Sequence, residues 1–304
     1  MLTQRRAESI DDLRTAADLM SAAWAAGAPH VAETPAAIEW WYALSHPDPL
    51  GDHLRLWFDD SRPVAWSWHE PPELETHVWT GDAPRDAATF RAILEATIAE
   101  SDGGEVGAFA ADDDRGAIGV LESLGFAPAG RRLSQWQRHA TDVPVAPASL
   151  PDGYRIRGLT GPEELPARVG VHRAAFPRST LTVAKYERLL TVPHYRFSDD
   201  LVVEAADGEL AAYALGWLDP IGRVAEFEPV GTHPDHQRRG LSRAVLATGL
   251  TRFFDAGAGT VQVYADASVT AAEALYAATG FRRRAFHQRY ARRSDGAPEG
   301  TIGT

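Results

Sequence analysis

An internal repeat limits most what this chain can fold into. The segment VWTGDAPRDAATFRAIL (78–94) sets against VGTHPDHQRRGLSRAVL (230–246) without a gap, with Val, Thr, Arg, Ala and Leu at matched positions. Further along, LESLGFAPAGRRLSQWQR resembles YAATGFRRRAFHQRYARR: a helix end, then Gly-Phe, then a basic alternating strand. Upstream, LRLWF and PVAWSW flank the short polar turn DDSR, and DLVVEA and LAAYALGWL flank ADGE, as hairpin strands do. Before each pair, IDDLRTAADLMSAAW and GPEELPARVGVHRAAF space their apolar residues as helices, with Asp11 and Thr160 as candidate caps. Shared order and spacing imply a duplicated unit. Each copy reads strand, helix, helix, hairpin, strand, helix, strand, helix, strand. That is an α/β fold, a mixed and mostly antiparallel sheet flanked by helices.

A length of 304 residues suits two such units. Between them HATDVPVAPASLPDG (139–153) carries three prolines and no periodicity, which places a linker at 141–151 between units 1–140 and 152–304. No run of about 18 apolar residues is present, so no membrane span is expected. The start MLTQRRAESIDDL lacks the pattern of an export signal, which fits a cytoplasmic protein. With no cysteine, disulfides, thiolate metal sites and a cysteine nucleophile are excluded. A net charge of -12 argues against nucleic acid as partner.

Against that acidic background stands QRRG. The strand-like RVAEFEPV contains Pro229, which implies an edge or a bulge. LSRAVLATGLTRFF then places Leu241, Val245, Leu246 and Leu250 on one helical face. Gln237, Arg238, Arg239, Gly240, Leu241 and Ser242 form the turn and the first helical residues. A helix N-terminus offers free N–H groups and partial positive charge to an anion. Glycine permits close approach of the backbone, and arginine adds fork-shaped donors. The local chemistry suits a diphosphate; solvated arginines beside a glycine that merely starts a helix are the plainer account. Neither GxxxxGK[ST] nor GxGxxG after a strand occurs.

Val230 through Ser242 resembles motif A of the GNAT superfamily of acyl-CoA N-acyltransferases, Gln/Arg-x-x-Gly-x-Gly/Ala. Gln237, Gly240 and Ser242 fill its three positions, Ser242 departing mildly from Gly/Ala. Downstream, AEALYAATGF (272–281) resembles motif B at Ala272, Leu275, Tyr276, Gly280 and Phe281. Val269 stands where that motif often has Asn. The resemblance covers about residues 152–292 and, through the repeat, implies two tandem GNAT-like domains. It implies acetyl-CoA as cosubstrate and a small-molecule primary amine as acceptor. In the family the amine attacks the thioester directly, without an acyl-enzyme, which agrees with the absence of cysteine.

That reaction needs a base, because an alkyl amine with a pKa of about 10 is mostly protonated at neutral pH. It also needs a donor for the carbonyl oxygen and an acid for the leaving thiolate. By resemblance, the main chain of Val230, Gly231 and Thr232 supplies the donor and lines the pantetheine arm. Arg238, Arg239, Gly240, Leu241 and Ser242 hold the diphosphate, and Tyr276 is the acid. Glu226, eleven residues before Gln237, is the candidate base. Glu228, two residues on and on the same face if the strand is regular, is the second candidate. Water or a solvated face is the alternative account of these carboxyls. His233, Asp235 and His236 raise the question of a metal, but with no third distant ligand indicated we expect none.

The N-terminal copy is degenerate. Opposite Gln237, Arg238 and Gly240 stand Arg85, Asp86 and Ala88, and opposite Tyr276 stands Leu121. This half is therefore expected not to catalyse. It holds eight of the nine tryptophans, among them Trp40, Trp41, Trp57, Trp66, Trp68 and Trp79. Core packing is the default account, and an aromatic wall for a cationic amine is the sharper one. The expected function is transfer of an acetyl group to a small amine. Mycothiol synthase, which shares the tandem layout, is an alternative that the Arg-rich, Lys-poor usage suits. A noncatalytic acyl-CoA-binding sensor is another, but a pure binder needs neither Tyr276 nor Glu226.

Overall fold

The computed structural model describes residues 2–27, 33–70, 75–80, 87–101, 104–147 and 149–292, with main chain alone for 75–80. The first half runs β1 (Leu2–Arg6), α1 (Ile10–Ala25), α2 (Pro35–Leu44), α3 (Leu50–His53), β2 (Leu54–Asp59), β3 (Arg62–Glu70), β4 (Glu75–Thr80), α4 (Ala87–Glu100), β5 (Val106–Ala111), α5 (Arg115–Ser123) and β6 (Ala127–His139). The second repeats it: β7 (Tyr154–Gly158), α6 (Leu165–Ala175), α7 (Val183–Glu187), β8 (Asp200–Ala205), β9 (Leu210–Asp219), β10 (Val224–Thr232), α8 (Leu241–Asp255), β11 (Thr260–Asp266), α9 (Thr270–Ala278) and β12 (Arg282–Arg292). The element order is the one the repeat predicts, with the short α3 added.

Two cap expectations are corrected. Ser9, not Asp11, caps α1, through a capping box in which Asp12 reaches back to the Ser9 N–H. Thr160 caps nothing. Gly161 and Glu164 precede the helical turns, and Thr160 instead donates its N–H (2.6 Å) and hydroxyl (2.8 Å) to Glu164 Oε2.

All described strands join one sheet, in the order β1-β2-β3-β4-β5-β12-β6-β11-β10-β9-β8-β7. Only β4–β5 and β10–β11 pair parallel. The last strand of each half has crossed over. β12 pairs with β5 of the first half, and β6 pairs with β11 of the second. These are the two basic alternating strands that follow Gly-Phe in the repeat. Each Gly-Phe ends a helix with its glycine at positive φ, 82° at Gly125 and 86° at Gly280.

The exchange carries side chains with it. Trp136 of β6 is buried in the core beneath α8 and α9, and Tyr290 of β12 in the core beneath α4 and α5. A third core is common to both halves. It joins Leu13, Met20, Ile38, Trp40, Trp66 and Trp68 to Leu165, Tyr186, Tyr213 and Trp217. Trp40 lies edge-on to Tyr186 and His172, with ring centroids 6.2 and 6.1 Å away. Trp57, Trp66 and Trp68 are likewise buried, so for these the packing account holds. The side chain of Trp79 lies outside the described residues.

Candidate active site

The site starts where β10 stops being regular. Val224–Phe227 pair with Thr260–Val263 of β11, and the β9 register shifts between Phe227 and Val230. Pro229 sits in that shift, as its missing N–H favours. Beyond it Val230, Gly231 and Thr232 pair with Ala214, Tyr213 and Ala212 of β9, but no β11 partner stands on their other side among the described residues. Strands β10 and β11 therefore splay, leaving main-chain groups of 230–232 open to a chain-like ligand. The same shift ends the regularity that Glu226 and Glu228 would need to share a face. Gly231 is required by space: a Cβ there would lie 2.7 Å from the Tyr213 ring and its hydroxyl oxygen. That ring is held by the buried Arg168, whose guanidinium lies 3.6 Å from its centroid and whose Nε donates to Asp200 (2.7 Å).

The turn after β10 has the conformation that an anion loop needs. Arg238 (φ 63°) and Gly240 (φ 79°) are both left-handed and bracket Arg239. Such alternation turns successive N–H groups to one side, and α8 begins at Leu241 with its first-turn donors lacking intrahelical partners. Gln237, Arg238, Arg239 and Gly240 are exposed, whereas Leu241, Val245, Leu246 and Leu250 are buried, as the helical spacing predicts. Ser242 hydrogen-bonds the Thr232 hydroxyl, stitching the end of β10 to the first turn of α8. This gives its departure from Gly/Ala a structural use. Arg239 is directed by Tyr154 Oη (2.5 Å) and the Asp235 carbonyl (3.0 Å).

Glu226, Glu228, Tyr264 and Tyr276 gather where the strands part. Glu226 is 2 % exposed, and its Oε2 accepts from Thr34 Oγ1 (2.6 Å) and Gln262 Nε2 (2.9 Å). Burial pushes its carboxyl up to about 7, the two hydrogen bonds pull it down, and Glu33 adds to the rise. Glu228 is half-buried; desolvation and then Glu226 push it up to about 8, against Arg131. Tyr276, on α9, donates a long 3.4 Å bond to the Tyr264 carbonyl. Burial and Glu228 raise its pKa, so the phenol keeps its proton at neutral pH.

Thr34, Glu33 and Gln262 were not among the residues singled out from sequence. Thr34 carries a signal of the wrong kind, because Thr-Pro reads as a helix start. It does stand at the N-cap of α2, but its side chain makes no cap bond and turns to Glu226. Gln262 did carry a usable signal, a polar residue in the apolar run TVQVYA directly opposite Glu226 in the register.

The third group near the two histidines is Glu209, from the β8–β9 turn, which sequence reasoning did not supply. His236 Nε2 lies 3.1 Å from Glu209, and its Nδ1 lies 2.8 Å from Tyr154 Oη, which also accepts from Arg239. His233 Nδ1 accepts from the Asp235 N–H (3.3 Å), which leaves its proton on Nε2, the nitrogen facing Glu209. The hydrogen bonds of His236 tie the hairpin to the arginine turn, and Glu209 supplies the third group whose lack was the ground for expecting no metal.

In the N-terminal copy, Ala87 and Ala88 lie in α4 and Leu121 is fully buried. Arg85 and Asp86 lie outside the described residues.

Residues 171–281 match the family described as Acetyltransferase (GNAT) family. The chain is 28% identical over 240 residues to a mycothiol acetyltransferase of Clavibacter sepedonicus, covering 77% of this chain and 78% of that one. It is 28% identical over 239 residues to a mycothiol acetyltransferase of Streptomyces coelicolor, covering 75% and 76%. Among solved structures it is similar to a GCN5-related N-acetyltransferase from Sphaerobacter thermophilus, with TM-score 0.63, 16% identity and 97% of each chain covered. It is also similar to a tandem GNAT protein from the clavulanic acid biosynthesis pathway, with TM-score 0.64, 14% identity and 98% and 100% covered. With the splayed strands and the glycine turn, these matches place an acetyltransferase domain of the GNAT family at residues 171–281, in a chain whose doubled fold is similar to that of tandem GNAT proteins.

Proposed function

We propose that the protein transfers the acetyl group of acetyl-CoA to a primary amine of a small molecule by direct attack. We assign this to unit 152–304, with 1–140 as a noncatalytic unit that completes the site and 141–151 as the link. The observation that carries the reading is the pair of proton-handling groups at the splay: a buried carboxyl, Glu226, whose pKa is raised toward neutrality, and a phenol, Tyr276, that stays protonated. A base poised near the working pH and an acid that holds its proton are what the two proton transfers require.

The residues suit acetyl-CoA. The exposed arginines and left-handed turn at 238–240, with the first turn of α8, favour a diphosphate. The open main chain of Val230, Gly231 and Thr232 suits the amides of a pantetheine arm and the carbonyl oxygen of the thioester. Glu226 takes a proton from the ammonium group, with Glu228 as the second candidate. The amine nitrogen then bonds to the acetyl carbon, the carbon–sulfur bond breaks, the Tyr276 hydroxyl donates its proton to the departing thiolate, and the nitrogen gives up its second proton as the amide forms, which restores the tyrosine hydroxyl. No metal has a part in this route.

The named relatives favour a second, narrower reading, an acetylation step in mycothiol synthesis. An amine panel assayed for CoA release with acetyl-CoA tests both. Turnover of a small primary amine supports the broad reading, and a preference for the amine precursor of mycothiol supports the narrow one. CoA binding without turnover of any amine would leave a sensor.

A further inference from the structure

Glu226 ends a line of buried polar side chains that crosses four neighbouring strands. Gln262 Nε2 on β11 donates to Glu226 Oε2 (2.9 Å). Gln262 Oε1 accepts from Gln135 Nε2 on β6 (3.0 Å) and, at 3.4 Å, from Gln137 Nε2. Gln135 Oε1 lies 3.2 Å from His287 Nε2 on β12. Glu226, Gln262, Gln135 and His287 are all less than a tenth exposed.

The chemistry of one end fixes the direction of the whole line. An ionised carboxylate only accepts, so Gln262 must turn its NH₂ toward Glu226 and its oxygen toward β6. Gln135 must then present its NH₂ to Gln262 and its oxygen to His287. His287 must carry its proton on Nε2. Every donor in the line points toward Glu226, and Thr34 adds one more from the first half. Such an array favours the charged carboxylate against its burial. Two of its members, Gln135 and Gln137, lie on the strand the first half has exchanged.

We propose that Gln262 and Thr34 are positioning residues for Glu226, and that Gln135, on the exchanged strand β6, fixes Gln262 as a donor and so sets how readily Glu226 takes a proton. The relevance of this to catalysis rests on the reading of Glu226 as the base. The other ionisable groups around it are Glu33 ahead of α2, Glu228 on β10, Tyr264 on β11 and His287 on β12. Arg131 acts on Glu228 and Arg284 on Tyr264.

The test follows the Glu226 carboxyl by carbon-13 NMR, in the full chain labelled at glutamate Cδ, with Glu226→Gln assigning the resonance. Gln262→Met and Thr34→Val each remove one donor, and each is expected to move the titration midpoint up by about one pH unit, a tenfold change in proton affinity. Gln135→Glu touches Glu226 nowhere, yet an acceptor there reverses the Gln262 amide, and the midpoint is expected to rise again. A merely structural role would change the melting temperature without moving the midpoint. Unchanged midpoints in both Gln262→Met and Thr34→Val overturn the proposal, and an unchanged midpoint in Gln135→Glu overturns the part assigned to β6. Turnover by Glu226→Gln separates the two readings: wild-type activity there removes the base assignment while the NMR result stands or falls on its own.

Discussion

Thr34 donates a 2.6 Å hydrogen bond to Glu226, a residue 192 positions further along the chain. Through this bond the half whose repeat has Ala88 and Leu121 in place of the glycine and the tyrosine reaches the candidate base of the other. Helix α2, whose N-cap is Thr34, also buries Glu39 against His194 of the second half (2.6 Å). The buried carboxylate holds that imidazole's pKa up despite its own desolvation. The N-terminal half thus meets the candidate site through Thr34 at the head of α2.

The acid assignment predicts a separation of chemistry from binding. Tyr276→Phe removes only a hydroxyl whose one internal bond is long. It should lower kcat by about 10²-fold or more and leave CoA affinity unchanged, as measured by steady-state kinetics and calorimetry.

The raised carboxyl gives a pH profile of definite sign. Glu226 accepts a proton only when ionised, so kcat/KM should rise with pH to a plateau, with a midpoint near the value of about 7 to which burial pushes it. Glu226→Gln should abolish this limb and lower the plateau about 10²-fold. Glu228→Gln should keep the limb with its midpoint little moved, because Glu228, pushed up to about 8, is still mostly protonated where Glu226 titrates.

Stability should move the opposite way. The Glu226 pKa is higher folded than unfolded, so between about 4.5 and about 7 the folded state holds a proton that the unfolded state releases. Stability is lost as pH rises through that window. Glu226→Gln should therefore melt higher than the wild type at pH 8 and near it at pH 4, by calorimetric scans.

The cofactor groove makes two predictions. Gly231→Ala places a methyl group against Tyr213, 2.7 Å from its ring and hydroxyl oxygen. Overpacking of this kind costs about 1–3 kcal/mol, and it should also raise KM for acetyl-CoA. Arg238→Ala should raise that KM about tenfold with little change in melting temperature, because the side chain is exposed. A chelator should leave activity unchanged, since no step of the route uses a metal.

Much of the fold was legible because it is local and doubled. The spacing of Leu241, Val245, Leu246 and Leu250 gave α8, Pro229 gave the bulge, and the repeat gave the element order. Glycine at the head of α8 and the LYxxxGF run were legible for the same reason: their chemistry is contained in a few consecutive residues. The exchange of β6 and β12 was not, because both strands have the same alternating pattern and would satisfy either neighbour. The partners of Glu226 were not legible either. Thr34 and Gln262 meet it only through tertiary packing and sheet register, and Glu209 reaches His236 only across a hairpin.

The most direct test of the account is a crystal structure of the protein with CoA. We expect the diphosphate within hydrogen-bonding distance of N–H groups in 238–242, the pantetheine arm along Val230–Thr232, and the sulfur beside Tyr276 Oη. A CoA molecule whose diphosphate lies away from Gly240, or whose sulfur lies far from Tyr276, would contradict it.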